Sequence, residues 1–387
     1  MAPVRIAFSI DSLKLGGAER VLLRWAGWCR DAGWDVVVIT RQMPDRDVYP
    51  LPPGVRRCLE PSLPAALDRL GWLAFPLRVY QLRLLLKRER CQLAVGVTTL
   101  PAVKLLLSCL GLPIRCVVSE RNYPPAKPPL LPWRWLRRLT YPWADLNLVQ
   151  TQITGSWLRE HCGVRRQLLL PNPVAWPLPD RKPAVNPDHW LAPGVPLLLG
   201  VGTKAKQKGF DRFMPVFSAL AQEVPSLHLA LLGLSQGSYK GLDQQVWLRD
   251  KLGRNPDLQQ RLLLPGMVGT MAAWYARATV FVLPSRFEGF PNVLLEAMAA
   301  GCACVASDCL TGPAELIDHD VNGVLMPKDA TCEDWIVAIK GLLQDRSRCK
   351  ALGQEATKVR ERFSPERLRH DFLEALRPLS HLSLIHI

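Results

Sequence analysis

The sequence predicts an α/β protein with two Rossmann-like, doubly wound domains that face a central cleft. Two observations favour this fold class. The order strand, glycine-containing loop, helix and strand appears at the start of the chain, and the same kinds of element appear again after a proline-rich segment. A chain of 387 residues gives each domain enough length to bury its own core.

The first set of elements begins with an apolar run over residues 5–10, which is typical of a buried strand. A loop with Gly16 and Gly17 follows, then an amphipathic stretch over residues 19–32 and a second strand over residues 35–40. Glycines at this position let the backbone approach a ligand, and the helix start offers free N–H donors to an anion. A simple tight turn explains the glycine pair equally well.

The second set contains apolar strands and an intervening helix, predicted over residues 195–201, 210–223, 227–233 and 280–284. Prolines are concentrated between residues 171 and 196, which indicates a linker between domains. The predicted division is a first domain over 1–174, a linker over 175–194, a second domain over 195–365 and a C-terminal helix and tail over 366–387. A return of that last helix to the first domain is left open.

Positive charge is concentrated in the first domain. The formal net charge is +15, of which residues 1–174 carry +13, and residues 64–138 hold 13 basic side chains against three acidic ones. Such an asymmetric charge favours a polyanionic partner, which could be phospholipid headgroups, a phosphorylated lipid or nucleic acid. A solvated basic face without a partner is the alternative.

The cysteines and the longest apolar region predict a chain without disulfides or membrane spans. Eleven cysteines show no paired spacing, which favours buried thiols in a reducing compartment. The apolar region over residues 93–118 is interrupted by Lys104 and Arg115, so it is interpreted as strand, helix and strand. No signal peptide is expected, because an apolar strand-like run comes almost at once.

A lysine-rich loop follows the first strand of the second domain. Lys204, Lys206 and Lys208 lie within five residues, after a buried strand and before a helix. Cationic side chains at such a turn suit a diphosphate leaving group, whose negative charge grows as the bond to it breaks. The spacing does not match a Walker loop, and a solvated basic loop is the alternative.

The most informative segment covers residues 283–301. A strand ends at residue 284, a loop follows, and a helix is predicted with Pro291 in its first turn and Gly301 as its stop. Glu288 then lies in the loop at the helix N-terminus, where backbone amides can bind phosphate or hydroxyl oxygens. Glu296 interrupts an apolar helix face, and its pairing with Lys or Arg is the structural alternative to a ligand contact.

This segment resembles the E-x7-E signature of the retaining GT-B glycosyltransferases of family four, also called group 1, with Glu288 and Glu296 at the two signature positions. The resemblance extends over nearly the whole chain. It includes the loop from Gly16 to Arg20, the bridge over residues 171–174, the lysine loop ending at Gly209, and the stretch over residues 311–315. Five elements in this order are far more specific than the signature alone.

The resemblance implies a GT-B fold and a retaining, nucleotide-sugar-dependent hexosyltransferase that needs no metal or other cofactor. The second domain would bind the nucleotide-sugar, and UDP is the expected carrier of an N-acetylhexosamine, hexose or deoxysugar. Glu296 would bind the ribose hydroxyls, Glu288 would contact the donor sugar as the catalytic carboxylate, and Lys208 would neutralise the diphosphate. The other implied donor-binding residues are Gly16, Gly17, Met267, Val268, Gly289, Phe290, Pro291, Asn292, Val293 and Leu294.

Two positions depart from the family pattern. Thr203 stands where the family usually has an arginine, and Lys204 or Lys206 is the candidate source of the missing charge. Many members carry a histidine near the end of a strand in the first domain, where this chain has residues 119–124, which include Glu120, Arg121 and Asn122. This variant resembles the subgroup that builds bacterial surface polysaccharides and lipid-linked oligosaccharides. Glu120 is therefore a second candidate catalytic residue, for contact with the sugar or the acceptor.

The acceptor, a glycan or a polyprenyl-diphosphate-linked sugar, is expected to bind the basic first domain. Basic side chains alternate with tryptophans and leucines over residues 71–90 and 130–143, a composition that suits a headgroup interface. The residues assigned to this acceptor or membrane side are Arg121, Asn122, Arg134, Arg137 and Arg138. We expect a cytoplasmic protein, peripheral on an anionic inner membrane face, although ordinary amphipathic core helices would give the same pattern.

Two other classes of protein share features with this sequence. Residues 233–237 match the G-x-S-x-G elbow of α/β-hydrolases, with Ser235 as nucleophile, but no oxyanion segment precedes the motif. A basic nucleic-acid-binding protein would explain the charge, yet no zinc spacing, helix-turn-helix signature or RNP-like strand is present. We therefore expect no nucleic-acid partner.

Overall fold

The structure is a computed structural model that describes residues 3–14, 16–64, 69, 71–126, 128–235, 238–239 and 241–381. The chain folds into two compact units. Unit 1 comprises Met1–Asn172 together with the chain from Glu366 onward, and unit 2 comprises Pro173–Pro365.

Unit 1 contains a seven-stranded parallel sheet with the strand order β3-β2-β1-β4-β5-β6-β7. The strands are β1 Arg5–Ile10, β2 Asp35–Thr40, β3 Arg56–Leu59, β4 Leu93–Val97, β5 Arg115–Glu120, β6 Leu146–Val149 and β7 Gln167–Leu169. The chain reverses its direction of winding between β1 and β4. In open parallel sheets, ligands bind beyond the carboxyl ends of the strands at this point.

The helices of unit 1 pack on both faces of the sheet. They are α1 Gly17–Asp31, α2 Phe75–Arg88, α3 Thr99–Cys109, α4 Leu131–Thr140 and α5 Gln152–Cys162, with 3-10 turns at Pro44–Arg46, Gly71–Ala74 and Tyr141–Trp143. The predicted strand, helix and strand over residues 93–118 are β4, α3 and β5. Lys104, which interrupts that apolar region, is buried and donates to both carboxylate oxygens of Glu60 at 2.6 and 2.7 Å.

Unit 2 contains a six-stranded parallel sheet with the order β12-β9-β8-β13-β14-β15 and a separate two-stranded antiparallel hairpin. The sheet strands and hairpin strands are β8 Leu197–Val201, β9 His228–Leu232, β10 Ser238–Tyr239, β11 Leu242–Asp243, β12 Leu262–Gly266, β13 Val280–Leu283, β14 Cys304–Ser307 and β15 Val324–Met326. Here the direction of winding reverses between β8 and β13. The two doubly wound parallel sheets confirm the predicted fold class.

The helices of unit 2 cover its sheet and include several short segments. They are α6 Ala205–Lys208, α7 Phe210–Glu223, α8 Gln244–Leu252, α9 Pro256–Arg261, α10 Met271–Arg277, α11 Asn292–Ala299, α12 Cys332–Gln344, α13 Arg346–Ala356 and α14 Val359–Arg362, with 3-10 turns at Pro187–His189 and Pro313–Glu315. The apolar core of this unit includes Phe213, Phe217 and Leu231, which are almost fully buried.

The proline-rich segment predicted as a linker is bound to unit 2. Arg181 donates its amide to Gly269 O at 3.1 Å, and Gly269 donates to Pro183 O at 2.7 Å. Trp274 Nε1 donates to Val185 O at 2.8 Å. A proline-rich chain still offers carbonyl oxygens, so it can be fixed against a neighbouring surface without belonging to a sheet.

The last helix, α15 Pro365–His381, supplies residues to unit 1. Phe372 is fully buried, stacks on Trp25 with 5.0 Å between the ring centroids and lies 6.1 Å from the ring of Trp28. Unit 1 is therefore completed by residues that follow unit 2 in the chain. Among the described residues, no helix combines the length and the apolar character needed to cross a bilayer.

Candidate active site

Two of the predicted loops lie side by side at the carboxyl edge of the unit 2 sheet. Val280 pairs with Leu198 and Phe281 with Leu199, so β13 and β8 are adjacent and parallel. The lysine loop follows β8, and the loop with Glu288 follows β13. Both therefore emerge at the point where the winding of the sheet reverses, which is where an open parallel sheet offers a ligand site.

Lys208 and Glu288 form an ion pair in this place. Lys208 Nζ lies 2.8 Å from Glu288 Oε1, and Ser285 Oγ donates to the same oxygen at 2.5 Å. The side chains are 12% and 6% exposed, so solvent screens the pair only weakly. Glu288 Oε2 has no hydrogen bond from the described residues. The carboxylate is thus oriented through one oxygen, and these residues leave its other oxygen without a hydrogen bond.

A set of hydrogen bonds holds the two loops together. Arg286 forms a bidentate pair with Asp211 at 2.6 and 2.7 Å and also donates to Lys206 O at 2.6 Å. Gln207 donates to Phe287 O at 3.3 Å, and Arg212 donates to the carbonyls after β13. Burial raises the pKa of the Asp211 carboxyl, but the hydrogen bond and charge of Arg286 together with hydrogen bonds from backbone amides outweigh it, so the net pKa lies below its usual value.

Two glycines are required because the lysine loop and the loop with Glu288 pack closely together. A Cβ on Gly202 would lie 2.5 Å from Cγ of Lys208, whose side chain packs along the glycine backbone. Gly209 adopts φ +69°, and a Cβ there would overlap the carbonyl oxygen of Pro284. The family resemblance identified Gly209 as part of the lysine loop, and the structure explains the residue type by φ and by this contact.

Glu296 lies on α11, half-buried, and is contacted by Tyr275 of α10. The Tyr275 hydroxyl lies 3.3 Å from Glu296 Oε2 and 3.2 Å from Val293 O. Burial, and next the negative charge of Glu296, raise the pKa of Tyr275 well above its usual value, so the hydroxyl stays protonated and can donate. Neither local spacing nor composition singled out Tyr275, because it comes from another helix.

The start of α11 leaves only some of its backbone amides available to a ligand. Pro291 is the N-cap residue and, as a proline, has no amide hydrogen to donate. The amides of Asn292 and Leu294 donate to Phe290 O and Pro291 O, each at 3.0 Å. Pro291, one of the implied donor-binding residues, therefore cannot contact the ligand through an amide. The amides of Gly289, Phe290 and Val293 have no backbone acceptor within the described residues.

The remaining donor-side predictions that belong to unit 2 lie along the same edge of its sheet. Met267 and Val268 follow β12, and Met267 is 40% exposed. Thr203 and Lys204 lie at the start of the lysine loop. Gln244, buried on α8, donates to Thr203 O at 3.2 Å and accepts from the amide of Ala205 at 2.7 Å. The sequence did not identify Gln244 as a support of this loop.

The predicted residues of unit 1 include a buried carboxylate. Gly16 and Gly17 begin α1 beyond the carboxyl end of β1. Glu120 ends β5, is 2% exposed and accepts from Thr99 Oγ1 at 3.1 Å and from the Tyr141 hydroxyl at 3.0 Å. Its carboxylate is therefore oriented by the interior of unit 1, and its predicted contact with sugar or acceptor stays a prediction.

Two arginines predicted on the acceptor or membrane side are instead buried. Arg137 is 3% exposed. Its guanidinium lies 3.8 Å from Glu120 Oε2 and over the ring of Trp157. Arg121 is 7% exposed, donates to Asn172 Oδ1 and lies over the ring of Trp25 at 5.3 Å.

Burial lowers the pKa of Arg121 to about 9, against the opposing effect of Glu120. Of the other residues predicted on this side, Arg134 and Arg138 are exposed and Asn122 is half-buried.

Comparison with solved structures defines the fold further. Sucrose-phosphate synthase from Thermosynechococcus elongatus matches with a TM-score of 0.78 at 20% identity, over 97% of this chain and 99% of that one. Anabaena HepE in complex with UDP and glucose matches with a TM-score of 0.73 at 18% identity, over 97% of this chain and all of that one. The fold is that of the GT-B glycosyltransferases.

Family models match both units. The model described as "Glycosyl transferases group 1" matches residues 195–345, and the model described as "Glycosyltransferase Family 4" matches residues 15–175. The chain belongs to this family, the group 1 or family four glycosyltransferases. The predicted family is thereby confirmed. These similarities give no support to a hydrolase or a nucleic-acid-binding protein, and part of the proposed hydrolase motif, residues 236 and 237, lies outside the described residues.

Curated relatives share parts of the chain. An exopolysaccharide phosphotransferase of Streptomyces coelicolor is 29% identical over 70% of this chain and 27% of that protein. An N-acetylgalactosamine-N,N'-diacetylbacillosaminyl-diphospho-undecaprenol 4-alpha-N-acetylgalactosaminyltransferase of Campylobacter jejuni is 29% identical over 46% of each chain. A lipopolysaccharide 1,6-galactosyltransferase of Salmonella typhimurium is 33% identical over 36% of this chain and 37% of that one. The chain spans less than half the length of these relatives.

Proposed function

We propose that the protein is a retaining glycosyltransferase that moves a sugar from a UDP-sugar to a glycan or polyprenyl-diphosphate-linked acceptor during assembly of a bacterial surface polysaccharide or glycoconjugate. The observation that carries this proposal is the Lys208–Glu288 pair, with its N–O distance of 2.8 Å, where the winding of the unit 2 sheet reverses. Both residues occupy positions of the family signature and its lysine loop.

Lys208 and the start of α11 are suited to a departing diphosphate. The bond from the anomeric carbon to the diphosphate oxygen breaks, and negative charge develops on that oxygen. A cation and the positive end of a helix lower the energy of this charge more than that of the intact donor. When the diphosphate enters, Lys208 would bind it while remaining beside Glu288.

Glu288 is positioned to contact the donor sugar. Its Oε1 is fixed by Lys208 and Ser285, and its Oε2 has no hydrogen bond from the described residues. That oxygen could accept from a sugar hydroxyl and stabilise positive charge at the anomeric carbon. The acceptor hydroxyl would enter from the face that the diphosphate leaves, and the diphosphate would accept its proton, so the configuration is retained without a dedicated base or a metal ion.

The choice of UDP and of the acceptor class is supported by similar proteins. The structural neighbour from Anabaena is described with UDP and glucose, and the Campylobacter relative is named for an undecaprenyl-diphosphate-linked acceptor. Glu296, fixed by Tyr275, would bind the ribose hydroxyls. Met267 and Val268, two strands from the lysine loop, would contact the base.

A donor screen with two variants tests the proposal. UDP-, GDP- and dTDP-sugars are compared by the shift in unfolding temperature and by the rate of nucleotide release. We expect UDP-sugars to stabilise the protein most. Glu296→Ala should raise the Kd for UDP about tenfold or more, because the charged hydrogen bonds to the ribose are lost. Glu288→Gln should retain UDP binding but lower turnover about 100-fold or more.

Glu333→Gln provides the matched control, since Glu333 is exposed at the start of α12 in the same unit. It should leave both binding and turnover unchanged. Sugar transfer at the wild-type rate by both Glu288→Gln and Glu296→Ala would contradict the proposed roles. Retention is checked separately from the anomeric proton coupling of the product by NMR, and an inverted product would contradict that part.

A further inference from the structure

One face of unit 1 exposes large apolar side chains among basic ones, and we name it the basic–apolar face. It is formed by α2 with the 3-10 turn before it, and by α4 with Leu130. Its apolar members are Trp72, Leu73, Leu77, Tyr80, Leu84, Leu130, Leu131, Trp135 and Leu139, and its basic members are Lys87, Arg88, Arg134 and Arg138. A monomeric protein seldom exposes so many large apolar groups together without a partner.

Helix α4 separates its two sides sharply. Leu131, Trp135 and Leu139 follow a spacing of four residues and are 62%, 63% and 58% exposed. Arg134 and Arg138 lie on the same side by helical spacing. The opposite side is buried in unit 1, where Arg137 contacts Glu120. Helix α4 therefore has two distinct sides. One packs in the core of unit 1, and the other faces solvent and is both apolar and basic.

Helix α2 continues the same face. Leu77, Tyr80 and Leu84 are exposed, while Leu82 and Leu86 are fully buried in the core of unit 1. The two helices meet at their first turns, where the rings of Phe75 and Trp133 pack edge to face with centroids 4.6 Å apart. The exposed apolar groups of the two helices are therefore brought together at this contact.

Among the described residues, no carboxylate forms an ion pair with the basic members of this face. Within residues 71–139 the acidic side chains are Glu89 and Glu120. Glu89 pairs with Arg56 at 3.0 Å, and Glu120 is buried against Arg137. Lys87, Arg88, Arg134 and Arg138 form no ion pair with the described residues. Their positive charge is therefore directed to solvent.

We infer that the basic–apolar face binds an anionic lipid bilayer, with the tryptophans and leucines among the acyl-chain ends of the headgroup region and the lysines and arginines at the lipid phosphates. This combination matches an interface with both an apolar layer and negative charge. Nucleic acid offers no acyl layer for exposed leucines. The inference goes beyond the proposed function. It rests on that function in one respect, the lipid-linked acceptor.

Vesicle flotation tests the inference with the whole protein. Phosphatidylcholine vesicles with and without phosphatidylglycerol are compared. We expect flotation with the anionic vesicles, and salt should weaken it to the level set by the apolar contacts. Arg134→Gln with Arg138→Gln should lower the partition coefficient about fivefold for each charge removed. Leu131→Gln with Trp135→Gln should lower binding at high salt as well, because their contribution is apolar.

Arg165→Gln with Arg166→Gln is the matched control, since these two arginines are also exposed on unit 1 but lie outside the face. It should bind as the wild type does. Equal loss in this control, or no preference of the wild type for phosphatidylglycerol, would overturn the inference. The inference would also be overturned if the protein did not bind vesicles but formed concentration-dependent dimers that the Leu131 and Trp135 changes abolished.

UDP-induced stabilisation is measured for every variant. Its retention shows that the protein is folded and that the donor site is intact. Loss of vesicle binding with normal donor turnover then counts against the membrane inference alone. Vesicle binding without any response to nucleotide-sugars would count against the proposed function alone.

Discussion

At the residue scale, the charged groups of unit 2 are oriented before any ligand arrives. Ser285 and Lys208 fix one oxygen of Glu288, and Tyr275 fixes an oxygen of Glu296. Ligand binding to such a site loses little side-chain entropy, because the rotamers are already restricted. Under the proposed function, Tyr275 is a positioning residue for the donor that acts through Glu296, and it does not itself need to touch the reacting atoms.

Removal of the Tyr275 hydroxyl tests this role. In Tyr275→Phe we expect the KM for the nucleotide-sugar to rise about tenfold with kcat nearly unchanged, because a hydrogen bond to a charged group is lost. The measurement is steady-state nucleotide release, with the unfolding temperature recorded in parallel. Tyr141→Phe is the matched control, since that hydroxyl donates to the buried Glu120 in unit 1. An equal rise in KM for both variants would point to general loosening.

The sequence identified single residues better than pairs of residues. Glu288, Glu296 and Lys208 were predicted through the family signature, and the structure places two of them in contact. The partners Arg286 and Asp211 were not predicted, because 75 residues separate them and local periodicity carries no information on such contacts. For the same reason Arg137 was predicted on the surface, although a carboxylate on β5 holds it inside.

At the element scale, the turn between β8 and α7 is fixed by backbone geometry as well as by charge. Gly209 lies between the short helix α6 and α7 and adopts φ +69°. Because its Cα lies against the carbonyl of Pro284, this position controls the distance between the two ligand loops. The element bounds agree with prediction for α7, while α11 begins at Asn292, one residue after the predicted first-turn Pro291.

Gly209→Ala should therefore damage both stability and turnover. The added Cβ meets a backbone atom that cannot rotate away, so we expect a loss of about 1–3 kcal/mol beyond the strain of φ itself. Gly194→Ala is the matched control, because Gly194 has φ +80° and open space at its Cβ. It should lose only about 1 kcal/mol and retain full nucleotide release. Urea unfolding and turnover are measured, and equal effects of the two changes would contradict the steric explanation.

At the scale of the whole molecule, two parallel sheets account for the architecture, and the sequence predicted both from alternating strands and helices. The path of the last helix was left open, because its amphipathic pattern fits any apolar surface. Its position in unit 1 depends on the stack of Phe372 on Trp25, a contact between residues 347 positions apart in the chain. A contact between residues so far apart exists only in the folded unit, so the local sequence pattern does not predict it.

Phe372→Ala should destabilise unit 1 specifically. We expect a loss of about 3–5 kcal/mol, because a fully buried phenyl ring is removed from its packing against two tryptophans. Hydrogen exchange followed by mass spectrometry should show faster exchange in peptides up to residue 172. The control variant Phe217→Ala should instead raise the exchange rate in peptides from residues 173–365. If the Phe372 variant raised the exchange rate only in its own helix, that helix would not be part of the unit 1 core.

The return of the last helix has a consequence for how the protein is made. Trp25 and Trp28 leave the ribosome early, but the phenyl ring that covers them follows only after all of residues 173–365 have been translated. The nascent chain therefore carries an N-terminal core that lacks this ring throughout the synthesis of unit 2. The unit that begins synthesis first is the one that is completed last.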